Sequence, residues 1–97
     1  MATYIALTSF TDQGIRNVKE TTKRADTVRE MAKKVGVTMK EMFWTLGSYD
    51  VVVIFEAPDD ASMVALEFAI GALGNVRTQT LRAFSKEDIT AILRKLP

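Results

Sequence analysis

The spacing of apolar side chains changes period several times along the chain, and each change marks an element. Thr3–Phe10 alternates, with Ile5 and Leu7 on one side and Tyr4, Ala6 and Phe10 on the other, which predicts a strand with apolar groups on both faces. Thr11 and Asp12 then offer side chains that accept from the free N–H groups of a first helical turn. From about Gln13 to Val35 a stripe recurs at steps of three and four: Ile15, Val18, Thr22, Ala25, Val28, Met31, Ala32 and Val35. The run Glu20-Thr21-Thr22-Lys23 interrupts this helix, because threonine caps better than it propagates, so a bend or a fresh start is expected there. Gly36 closes the helix in a left-handed conformation.

A second strand is predicted over Val37–Thr45. Lys40 and Glu41 within it suit a sheet edge, and Phe43 and Trp44 must point to opposite faces. Leu46-Gly47-Ser48-Tyr49-Asp50 is a turn that leads into a third strand, Tyr49–Glu56. Its centre, Val51-Val52-Val53-Ile54-Phe55, has no polar position, so both of its faces need cover. Pro58-Asp59-Asp60 starts a second helix with an aspartate cap. From Ala61 to Leu73 only Ser62 and Glu67 are clearly polar, which predicts burial on more than one side. Asn75–Phe84, rich in Thr, Arg and Gln, reads as a second edge strand. Ser85 with an acid three places later, Asp88, forms a capping box for a short last helix whose Ile89, Ile92, Leu93 and Leu96 are expected to face inward.

The order β-α-β-β-α-β plus a terminal helix predicts one α+β domain over residues 1–97, with the ferredoxin-like split βαβ topology. Right-handed crossovers place both long helices on one face of a four-stranded antiparallel sheet, with the first and third strands central. The other face then stays apolar. Four strands of about 20 Å at ~4.8 Å spacing give roughly 400 Å², a large patch for a monomer to leave bare. A homodimer packed sheet to sheet, or a larger ring of such pairs, is the expected cover. The alternative is that the last helix folds under and caps that face itself.

Composition narrows the chemistry. The 97 residues include no cysteine and no histidine. That removes thiolate nucleophiles, disulfides, structural zinc and a Ser-His-Asp triad. There is no EF-hand spacing and no glycine-rich phosphate loop, so neither cofactor nor metal is expected. With a net charge of +1 and no long apolar run, neither nucleic acid nor membrane is an expected partner. The first residues lack a secretory leader, which makes the cytoplasm the default location. The first helical region holds Arg16, Lys19, Lys23, Arg24, Arg29, Lys33 and Lys34 against Glu20, Asp26 and Glu30, a local excess of +4. It reads as a solvated face with pairs such as Glu30–Lys34 rather than a track for phosphates.

The ligand-binding candidates are Tyr49 and Asp50 at the hairpin, Trp44 and Tyr4 as aromatic floor, and Arg77 and Arg82, which lie on opposite faces of the fourth strand. For Asp50 the competing role is to bond the N–H groups of its own turn; for the arginines it is to keep an edge strand soluble. Two functions fit: a small oligomeric domain that binds a small molecule or regulates a partner, or a cofactor-independent enzyme acting on a small organic substrate in a cavity between helices and sheet, through Tyr49, Asp50, Trp44 and an arginine.

The segments "FTDQGIRNVKETTKRAD", "WTLGSYDVVVIFEAPDD" and "LGNVRTQTLRAF" resemble the GYD-domain family, named for a Gly, Tyr and Asp motif matched here by Gly47, Tyr49 and Asp50. The resemblance spans Tyr4 to about Leu93. It departs where the family pattern has a proline at a helix start, near Thr22. It implies a ferredoxin-like fold of the dimeric α/β-barrel group and supplies no reaction.

Overall fold

The computed structural model describes residues 1–97. Its strands are β1 (Ala2–Phe10), β2 (Thr38–Trp44), β3 (Val51–Ala57) and β4 (Val76–Ala83). Its helices are α1 (Asp12–Arg16), α2 (Thr21–Lys34), α3 (Asp60–Ala72) and α4 (Lys86–Leu93). The sheet is antiparallel with order β2-β3-β1-β4, so the two most apolar strands are central, as the ferredoxin-like reading requires.

The expected break in the first helix is present. α1 ends at Arg16, a 3₁₀ turn covers Val18–Glu20, and α2 starts afresh at Thr21. Thr11 caps α1 by accepting from Gly14 N at 3.1 Å. α1 is also clamped to the α3–β4 loop: Thr11 N donates to Asn75 O at 3.0 Å, and Gln13 Nε2 donates to Leu73 O at 3.0 Å. Gly14 is buried at this contact, where a Cβ would stand 1.9 Å from Asn75 O. α3 is capped by Asp59, whose Oδ1 accepts from Ser62 N at 2.8 Å, and this bond holds the carboxyl below the usual range. At the β2–β3 turn Gly47 has φ 129°, a conformation side chains rarely tolerate.

Residue parity separates two faces. Tyr4, Ala6 and Thr8 of β1, Val51, Val53, Phe55 and Ala57 of β3, and Met39 of β2 are buried beneath the helices. With Ala32, Val37, Met63 and Leu66 they form the core. Met31 and Met42 pack against it. The opposite face carries Ile5, Leu7, Val52, Ile54, Phe43 and Leu81, with Phe43 53% exposed. A shift in register between Met39 and Glu41 leaves Lys40 as a bulge on edge strand β2, and its Nζ pairs with Glu56 at 3.4 Å.

Three expectations are corrected. Ile89, Ile92, Leu93 and Leu96 do not face inward. All are exposed, because α4 runs on from edge strand β4 without folding back over the sheet. Its capping box is nevertheless complete, with Asp88 N donating to Ser85 Oγ at 3.0 Å and Ser85 N donating to Asp88 Oδ2 at 2.9 Å. Nor is α3 covered on several sides: Met63 and Leu66 are buried, but Phe68 is 75% exposed. The ion pairs of α2 also use the shorter spacing, Lys33 with Glu30 at 3.2 Å and Arg29 with Asp26 at 3.9 Å, rather than Glu30 with Lys34.

Candidate functional site

The two long helices straddle the sheet. α2 packs over β2 at one edge, while α3 packs over β4 and meets β3. Between them a cleft opens above the central strands, partly open to solvent. Ala6, Val53, Phe55, Met42 and Met63 make its walls mainly apolar. It continues between α2 and α3 toward Leu73 and Asn75.

Four polar features reach this cleft, and three are already partnered. Trp44 Nε1 donates to Thr21 Oγ1 at 3.0 Å, tying the end of β2 to the start of α2. Arg24 donates to Asn17 O at 2.9 Å and to Gly14 O at 3.2 Å, with its guanidinium 5.8 Å from the Phe10 ring centre. Thr8 and Thr78 hydroxyls meet at 3.4 Å across β1 and β4. The fourth is Glu67 on α3. Its Oε1 is sealed from solvent and has no hydrogen-bond partner in the protein. Loss of hydration pushes its pKa up, because the ionised form suffers most from burial. Thr80 Oγ1, also on the covered face, is likewise buried and unpaired.

The candidates named from the sequence fall in three places rather than one. Trp44, Tyr4 and Arg82 lie on the helix-covered face; Trp44 lines the cleft, and the other two do not. Tyr4 Oη donates to Asp60 Oδ1, a bond that anchors β1 to the first turn of α3. That bond, followed by burial, raises the phenol pKa, so Tyr4 is a fixed donor and not a base. Arg82 lies over the rings of Phe84 and Tyr4, at 4.5 and 5.5 Å from their centres. Tyr49 and Arg77 belong to the open side: Tyr49 Oη donates to Gln79 at 3.1 Å, and Arg77 is exposed opposite Ser9. Asp50 serves neither place. Its Oδ2 accepts from Phe10 N at 2.8 Å and its own N donates to Thr8 O at 2.8 Å, which fixes the hairpin to β1.

Glu67, Thr8 and Thr78 were not among those candidates. Glu67 did carry a signal, as the one acid in the apolar run from Ala61 to Leu73. No group of carboxylates in the structure has the arrangement of a metal site. No helix is long and apolar enough to cross a membrane.

Comparison with known proteins agrees with this fold. The GYD domain model matches residues 4–93. A protein of Thermus thermophilus, named glutamine synthetase and cystathionine beta-lyase binding protein, is 32% identical over 95 residues, covering 97% of this chain and all of that one. A crystal structure of a protein from the same organism superposes with a TM-score of 0.58 at 23% identity, covering 88% of this chain and 95% of the other, a likeness of fold.

Proposed function

Because the chain belongs to the GYD-domain family, we propose that it acts by binding, as a cytoplasmic self-associating module that docks onto a larger enzyme of amino-acid metabolism. The observation that carries this is the bare sheet face formed by Ile5, Leu7, Val52, Ile54, Phe43 and Leu81. Covering its ~400 Å² at about 25 cal/mol/Å² contributes on the order of 10 kcal/mol per chain. Association itself costs about 4–15 kcal/mol, so the sheet contact is marginal to adequate alone. Stable interfaces bury about 800 Å² per partner, which calls for more surface. The exposed apolar stripe of α4 supplies it.

A second copy is the occupant that fits this face. Its rim carries both signs, Glu41 and Glu56 on the β2–β3 side and Arg77 on β4, as a self-complementary patch needs. The partner enzyme is inferred from the relative, whose name gives glutamine synthetase and cystathionine beta-lyase as what it binds.

Two measurements test the reading. Light scattering on the eluted protein at micromolar concentration is expected to give twice the chain mass, and the Ile54→Glu variant a single chain with unchanged circular dichroism. A wild-type monomer overturns self-association. Biosensor binding to the source organism's own glutamine synthetase and cystathionine beta-lyase tests docking, and no binding to either overturns that part.

A further inference from the structure

The cleft between the helices and the sheet lies on the opposite side of the sheet from the face proposed for self-association, and nothing in a protein-docking role requires it. We propose that it is a binding site for a neutral, mainly apolar small molecule carrying one hydroxyl or carbonyl oxygen, with Glu67 as the group that recognises that oxygen. The cleft is open enough to admit a ligand and apolar enough to desolvate one. Glu67 Oε1 is buried against it without a partner, and an unmet carboxyl oxygen in an apolar setting gains most from a ligand that completes its hydrogen bonding.

The same geometry sets the charge of the ligand. An anion would need a free cation in the cleft, and Arg24 already donates both terminal nitrogens to the carbonyls of Asn17 and Gly14. A cation would need an ionised Glu67, which burial opposes. A neutral oxygen needs neither. It accepts from the protonated carboxyl or, as a hydroxyl, donates to its unmet oxygen. The Thr8–Thr78 hydroxyl pair, long at 3.4 Å, offers a second contact on the sheet side of the cleft.

Trp44 is the only tryptophan of the chain and lines the cleft, so its emission reports occupancy directly. The probes are cyclohexanol, cyclohexanone and cyclohexanecarboxylate, titrated into the full chain near neutral pH, with the methyl resonances of Met42 and Met63 as a second readout. Cyclohexanol and cyclohexanone are expected to saturate both signals, and the carboxylate to bind at least about tenfold more weakly. Glu67→Leu is expected to weaken cyclohexanol by about tenfold, while Glu67→Gln, which still hydrogen-bonds, stays within about threefold of wild type. Circular dichroism establishes that each variant is folded. Absence of saturation by any probe, tighter binding of the carboxylate, or equal cyclohexanol affinity in Glu67→Leu and wild type overturns the proposal.

Discussion

Replacing Glu67 by methionine is expected to stabilise the free protein. The native carboxyl has one oxygen sealed from water with no partner, while the residue as a whole is only half-buried. A buried unsatisfied polar group costs about 1–3 kcal/mol, and partial exposure places Glu67 at the low end, near ~1 kcal/mol. Methionine keeps the unbranched reach and removes the polar oxygens. For a domain of this size 1 kcal/mol corresponds to about 4–8 °C in Tm. The gain must also depend on pH. The unfolded chain titrates Glu67 near the ordinary glutamate value, about 4.3, and burial holds the folded value higher. Between the two values the folded state binds more protons, so wild-type stability falls as pH rises through that window and levels off above it. Below the unfolded value both states are protonated and only the cost of the neutral carboxyl remains. The methionine variant should therefore gain more over wild type at about pH 8 than at about pH 4. Urea denaturation followed by circular dichroism at both pH values measures this. A destabilised variant at the higher pH, or a gain that does not shrink on acidification, refutes the reasoning.

Two further substitutions probe the scaffold. Gly14→Ala drives a Cβ to 1.9 Å from Asn75 O, a backbone atom that cannot swing aside, and disturbs the Thr11–Asn75 bond. A loss of about 3 kcal/mol is expected by denaturant titration, and a loss below about 1 kcal/mol would mean that α1 moves off cheaply. Asp50→Ala leaves Phe10 N–H without its acceptor and is expected to cost about 2 kcal/mol. Asp50→Asn retains an acceptor and should lose less than half as much; equal losses in thermal melts would show that charge, not the bond, matters.

The topology was legible because period alone separates strand from helix here, and because Lys40, Glu41 and the arginines mark the edges. Parity also grouped side chains correctly: Tyr4 with Ala6 and Phe10, Phe43 apart from Trp44. What alternation cannot supply is which group lies beneath the helices, so Tyr4, Trp44 and Arg82 stand among the same candidates as Tyr49 and Arg77, although the sheet divides the two sets. The stripe of α4 announced a need for cover, but its period is silent on whether this chain provides it. Phe68 misled in the same way. Glu67 stood out as a lone acid in an apolar run, yet its lack of a partner depends on the gap between α2 and α3, which arises only once both helices are placed over opposite edges.

The slab is 18 Å across its thinnest dimension, and its two working surfaces are separated by one layer of backbone. Val53 and Phe55 look into the cleft while Val52 and Ile54, their immediate neighbours, look out of the other side. A guest that alters the pleat of β3 therefore alters the surface offered behind it. If both proposed events occur and that pleat couples them, occupancy in front and association behind bias each other by the same free energy, and the degree of self-assembly would then gauge what the cleft holds.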